Sequence, residues 1–344
     1  MVNFKHEQIF TKKAERMIKI KKVWLLIEKK VDFPEADNLI FKNRTKDGKP
    51  IIREKILETL KGNKEVIPWI EVETATDEKL AIDAAKAGAK TIIISGKGYS
   101  LAPIIALENI VAETQRLKTE LYAFANSFEE MLSATKALDI GLNIVVKDSK
   151  LISAFKDYFA LINFELKPVK IKSIKSIGSG WRSCIDTTDI MKIGEGMLVG
   201  SASNAYFLVH SEVKKGKFTP SRVFRVNAGA ISGYVIIDCK DGEIKTKYLI
   251  ELECGLKVLI VDRNGNARRV LVERNKIEHR PLSLIITELG HKILLQEAET
   301  VCLTLSNGEP KSVLSLKPGD EILMYLSKGG MHRGTKIEEG LIEH

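Results

Sequence analysis

The strongest constraint on this chain is a change of pattern near residue 165. Before it, apolar runs with strand character alternate with stretches of helical periodicity. Val23–Ile27, Val66–Val72, Thr91–Ser95, Glu120–Ala125 and Asn143–Val146 read as strands. Helices are expected from Thr76 to Ala87, Ile104 to Leu117, Phe128 to Leu138 and Leu151 to Leu161. Gly88 and Gly141 stand where a helix end wants positive φ, and Ser127 with Glu130 forms a capping-box pattern. Strands alternating with helices at this interval imply a mainly parallel sheet, open or curled into a partial barrel. After residue 165 helical periodicity nearly vanishes. Asp241-Gly242, Asn264-Gly265 and Asn307-Gly308 punctuate short strands, a hairpin signal that implies an antiparallel barrel or sandwich. The expected fold is thus an α/β N-terminal half followed by an all-β C-terminal half. A length of 344 residues suits two such domains. The divisions read as a basic extension over 1–21, an α/β domain over 22–165 and a β-rich domain over 166–344.

The charge narrows the function classes. The net charge is +9, but the first 30 residues hold nine basic and three acidic side chains, so most of the excess belongs to one end. A solvated basic helix over Lys12–Lys22 explains it. A nucleic-acid-binding protein with a basic arm and a β-barrel is the competing reading. Against it, aromatic residues are 6% and are not interleaved with basic ones in the glycine-rich region, so stacking platforms are scarce. Neither a secretory signal nor a run long enough to span a bilayer is present, and the four cysteines lack zinc-ligand spacing. A cytoplasmic protein with reduced cysteines and no metal is expected, with neither nucleic acid nor membrane as partner.

Candidate chemistry concentrates between Gly178 and Gly233. Gly194, Gly196, Gly200 and Ser201 lie in Gly-Glu-Gly-Met-Leu-Val-Gly-Ser, which resembles a phosphate-cradling loop without matching the dinucleotide spacing. Glycines serving bulges and bends in a β domain are the alternative. Read as a strand, Ala205–Val213 puts His210 and Glu212 on one face, where they can share a proton. A satisfied core histidine is the bland counterpart. Arg225 beside Asn227 offers a guanidinium and an amide for a carboxylate, or an ordinary exposed arginine. Lys276 and Arg280 fall in Lys-Ile-Glu-His-Arg-Pro, and Lys336 closes Gly-Gly-Met-His-Arg-Gly-Thr-Lys.

Taken together, Gly194–Ser201, Phe207–Glu212, Phe224–Ala230, Leu295–Thr300 and Leu316–Asp320 resemble, in order and spacing, the 3-dehydroquinate synthase II family. The likeness runs from about Lys22 to the C-terminus. It departs after Asp186, where Thr187-Thr188-Asp189 replaces the family's usual Thr-Cys-Ser. The resemblance implies NAD-dependent oxidative deamination of 2-amino-3,7-dideoxy-D-threo-hept-6-ulosonate and ring closure to 3-dehydroquinate, within aromatic amino acid biosynthesis. A sugar-acid-binding relative without turnover is a third reading. On the resemblance, Glu212 or His210 is the base and Lys276 or Lys336 a candidate enamine lysine. Arg225, Asn227 and Arg280 are substrate contacts, with Gly194–Ser201 toward NAD. A homo-oligomer is compatible with this reading.

Overall fold

The computed structural model describes residues 21–28, 33–327, 330–332 and 335–337. The basic segment read as an N-terminal helix lies outside them, except for its last two residues. The chain divides into two compact units after Phe159, slightly earlier than the sequence pattern suggests. The reason is local: Ile162–Asn163 pairs with Asn266 and Ala267, far along the chain.

In the first unit the strands are β1 (Val23–Leu26), β2 (Asn38–Phe41), β3 (Arg44–Thr45), β4 (Ile51–Ile52), β5 (Ile67–Glu71), β6 (Thr91–Ser95), β7 (Glu120–Phe124) and β8 (Asn143–Val146). The helices are α1 (Ile56–Gly62), α2 (Ala75–Lys86), α3 (Ile104–Thr114), α4 (Phe128–Thr135) and α5 (Lys150–Phe159). Strand order is β3-β2-β1-β8-β7-β6-β5-β4, parallel throughout except for β2–β3. Each new strand is laid beside the previous one, which curls a twisted sheet rather than extending it both ways. Arg44 bridges to Pro50 just before β4, so the sheet is nearly closed into a barrel.

Strand alternation then sorts the side chains. Val23, Leu25, Ile92, Ile94, Ile144 and Val146 face the helices, while Trp24, Trp69, Ile93, Tyr122, Phe124 and Val145 fill the interior. The helix start read at Ser127 stands, and the one expected at Thr76 lies at Ala75, behind Thr74. Thr74 and Asp77 form a reciprocal capping box at α2, and Ser127 caps α4 by accepting from the Glu130 amide. β2, β3, β4 and α1 were not legible in advance.

The second unit is antiparallel and all-β apart from one short 3-10 turn. After the short β9 (Ile162–Asn163), its spine is the pairing of β10 (Leu166–Thr187) with a second strand of equal length, Asn266–Thr287. The expected hairpin around Asn264-Gly265 is present, and its second strand runs on far past Glu273. β11 (Glu195–Ala202) pairs with β12 (Ala205–His210). Phe207 and Val209 enter one core cluster, and Tyr206 and Leu208 another on the opposite face. β13 (Arg225–Ala230) lies against β10.

Gly196 and Gly200 are interior residues of β11. A Cβ on Gly196 would collide with the Val209 carbonyl, and one on Gly200 with that of Ala205. Gly196→Ala and Gly200→Ala are each expected to destabilise the fold by about 1–3 kcal/mol, read as a lower Tm. Unchanged melting in both variants would mean the strands do not approach this closely.

Candidate active site

Polar residues of the second unit converge where β13, β10 and Asn266–Thr287 lie side by side. The register sets Asp186 across from Arg274 and Arg225, Cys184 across from Lys276 and Asn227, and Arg182 across from Glu278. Period-two alternation puts these residues on one face of the three strands. Arg280 continues the row, across from Gly180.

Asp186 is the anchor. It is 1% exposed and takes a bidentate pair from Arg225, Nε to Oδ1 at 2.6 Å and Nη2 to Oδ2 at 2.8 Å. Arg274 adds two bonds to Oδ2, at 3.1 and 2.5 Å. Burial alone would raise the Asp186 pKa, but the two guanidinium groups outweigh it and hold the carboxyl below its ordinary value. Arg182 is likewise buried, donating through Nε to Gln296 Oε1 at 2.7 Å and through Nη2 to Glu278 at 2.8 Å. Burial pushes the Cys184 thiol up to about 11, so it stays neutral between these charges.

Asn227 sits inside this network with its acceptor unmet. Its Nδ2 donates to Gln296 Oε1 at 2.8 Å, the same oxygen that Arg182 uses. That sharing fixes which end of each amide faces the other. Asn227 Oδ1 is left buried without a hydrogen-bond partner. Arg274, Lys276 and Arg280 retain substantial exposure, 54%, 47% and 41% of their side chains. Lys276 and Arg280 both pair with Glu278, at 3.0 and 2.7 Å. The face therefore presents cations to solvent beside a buried, unsatisfied acceptor.

Four sequence-singled residues, Arg225, Asn227, Lys276 and Arg280, are thus brought together. The others fall differently. His210 ends β12, accepts from the Gly194 amide at Nε2 (2.8 Å) and lies 2.7 Å from the Ser211 carbonyl at Nδ1. Both ring nitrogens are engaged, and burial lowers its pKa, keeping the ring neutral. Glu212 lies beyond the end of that strand and is not a partner of His210. It is 3% exposed, paired with Arg222 at 2.9 Å and accepting from Thr300 at 3.1 Å. Arg225 is committed to Asp186 rather than presented as a free fork. Lys336 is in the strand Thr335–Ile337, but its side chain lies outside the described residues.

The glycine segment does not fit a dinucleotide pyrophosphate. Gly196, Gly200 and Ser201 are in a paired strand, and the Gly194 amide already serves His210. The exposed cation row suits an anionic group better. Sequence reasoning missed Asp186, Arg182, Glu278 and Gln296; the motif blocks held Gln296 but gave no sign of its partner 114 residues away. Among the described residues, no group of three or more His, Cys, Asp or Glu side chains is placed to hold a metal ion, and no helix is long and apolar enough to cross a membrane.

Because the Asp186 pKa is depressed on folding, its contribution is fully present above the ordinary carboxylate value, about pH 4. It is lost as pH falls through the lower folded-state value. Asp186→Asn leaves two guanidinium groups uncompensated and should cost about 3–5 kcal/mol at neutral pH. The gap in Tm to the parent should narrow in acid; a gap independent of pH would contradict the ionised pair.

Comparison with known proteins agrees with the likeness noted in the sequence. The family model for the 3-dehydroquinate synthase II N-terminal domain matches residues 4–162, and that for the C-terminal domain residues 168–344. The match takes in nearly all of the basic segment that the sequence pattern set apart as an extension. A 3-dehydroquinate synthase of Methanocaldococcus jannaschii is 41% identical over 290 residues, covering 81% of this chain and 78% of the relative. One from Methanothermobacter thermautotrophicus is 40% identical over 295 residues, 83% of this chain and 77% of the relative. One from Nitrosopumilus maritimus is 36% identical over 299 residues, 85% and 83%. No solved structure matches the chain. With both domain models matched in order and relatives aligned over most of its length, the chain belongs to the 3-dehydroquinate synthase II family.

Proposed function

We propose that this protein is an NAD-dependent enzyme that oxidatively deaminates 2-amino-3,7-dideoxy-D-threo-hept-6-ulosonate and closes the ring to 3-dehydroquinate. Membership of the family carries the reading, and the polar face on β10, β13 and Asn266–Thr287 supplies groups suited to its first half.

The substrate presents a carboxylate and an amine on adjacent carbons, C1 and C2. A carboxylate calls for exposed cations and an amine for a hydrogen-bond acceptor. Arg274 is exposed and reaches into the Asp186 pair, while Lys276 stands two residues along the same strand face. Asn227 Oδ1 is the buried acceptor without a partner. An N–H of the C2 amine satisfies it, removing a desolvation penalty of about 1–3 kcal/mol. Hydride can leave C2 only once the amine is neutral, so a base must take its proton. Lys276 and Glu278, paired at 3.0 Å, are the acid–base groups this face offers for that transfer. NAD would supply the hydride acceptor, and the exposed Arg280 would offer a cation for its pyrophosphate. Asp186 and Arg225 act by holding Arg274 and the three strands in register.

The direct test incubates purified protein with the amino-heptulosonate and NAD+, following NADH absorbance, ammonia and 3-dehydroquinate. All three should form. A folded sample producing none of them would overturn the reading. Asn227→Leu should lower kcat/KM by roughly 10- to 100-fold, the loss of one buried hydrogen bond to a charged or polar substrate group. A value near that of the parent would take Asn227 out of the substrate site.

A further inference from the structure

The barrel of the first unit carries a second cluster of chemistry that the reading above leaves unused. In a parallel barrel the inward positions continue beyond the last apolar residue of each strand, at the carboxyl ends. Here the last inward apolar residue of six strands is followed two positions later by a polar one. Leu26 leads to Glu28, Ile51 to Arg53, Trp69 to Glu71, Ile93 to Ser95, Phe124 to Asn126, and Val145 to Lys147. Glu71 and Ser95 continue their strands, while Glu28, Arg53, Asn126 and Lys147 lie just past strand ends and are placed by their contacts. A barrel that needed only a stable end would not require this.

Contacts within the ring show that it is built. Lys147 Nζ lies 3.3 Å from Glu28 and Arg53 Nη1 3.9 Å from Glu71. Trp69 Nε1 donates to Ser95 at 3.0 Å. Tyr99 lies over the ring, with the Arg53 guanidinium 5.2 Å and the Lys147 ammonium 5.9 Å from its centroid. Tyr99 has φ +62°, a conformation costly for a side-chain-bearing residue, and Asn126 Nδ2 donates to its carbonyl at 2.7 Å. Beside the ring a cleft of about 460 Å³ opens between Leu25–Glu28 and Lys147–Ser149, with Phe33 on its wall; Leu25, Ile27 and Phe33 belong to the helix-facing layer. Its lining is mainly apolar, with a lysine and a carboxylate in contact.

We propose that this mouth is the carbon–carbon bond-forming site, taking a methyl ketone that also bears a carboxylate, and that Lys147 is its imine-forming catalytic residue. This rests on the reaction proposed above, whose deaminated product is a 2,6-diketone. The Lys147 ammonium condenses with the C6 carbonyl; two of its protons leave with the carbonyl oxygen as water, and an iminium forms. Glu28 takes a proton from the C7 methyl, giving the enamine. The enamine carbon attacks the C2 ketone, forming the ring bond, and the C2 oxygen takes the proton back from Glu28. Water then hydrolyses the iminium, restoring the ketone and the Lys147 ammonium. No oxidant is consumed in this half. Arg53 orients the carboxylate.

Two readouts test it. The amino-heptulosonate already carries the C6 ketone, so full-length protein treated with it and borohydride, without NAD+, should acquire a covalent adduct on the Lys147 peptide. Lys147→Met should lose the adduct, and the ratio of 3-dehydroquinate to NADH should fall at least 100-fold from that of the parent. Lys147 is half exposed, so Lys147→Met and Lys147→Arg should melt like the parent. An adduct on Lys276 instead, no adduct anywhere, or an unchanged product ratio in Lys147→Met would overturn the assignment. Absence of NADH from the parent would sink the deamination reading alone, because trapping at Lys147 needs no redox step.

Discussion

A single buried carboxylate organises the polar half of this molecule. Asp186 holds Arg225 from one neighbouring strand and Arg274 from the other, so three strands are tied across one residue. Ion pairs in such a setting add little net stability over a well-packed apolar core, but they are severe about geometry, since losing one partner strands the other. The consequence is positional. With Arg225 and Arg274 fixed, Asn227 and Lys276 flank Cys184, and Gln296 sets the orientation of the Asn227 amide. An acceptor aimed away from its own network, beside cations open to solvent, is the kind of pre-organisation that binding an amino acid requires.

The first unit uses a different device. Its interior is closed by Trp24, Trp69, Tyr122 and Phe124, and the near-complete barrel leaves one end where strand alternation continues into polar residues. Apolar packing holds the strands, and the ring at their carboxyl ends is free to carry chemistry. Under the proposed reaction, each unit offers groups for one of two unlike demands: removal of a hydride next to an amine, and generation of a carbon nucleophile next to a ketone.

How much of this was legible depended on the range of the interactions involved. Capping at Ser127, the apolar runs of β6 and β8 and the hairpin at Asn264-Gly265 are local, and the sequence displays them directly. The stretch holding β2, β3 and β4 was silent because strands of two to four residues carry too little periodicity. Gly196 and Gly200 looked like a phosphate loop, but their missing side chains serve the close approach of β12. His210 and Glu212 seemed to share a face until the strand ended between them. The Arg182–Gln296 and Asp186–Arg274 pairs join residues far apart in the chain, which spacing cannot reveal. Lys147 is visible as a candidate only through Glu28 and Tyr99, which the fold brings beside it from far along the chain.

Ligand recognition is proposed for the polar face of the second unit, not for its glycine-rich strand. Hydrogen–deuterium exchange of the full chain, with and without saturating amino-heptulosonate, tests that most directly. Protection is predicted over residues 182–186, 225–227 and 274–280, with 194–203 unchanged. Protection confined to 194–203 would contradict it.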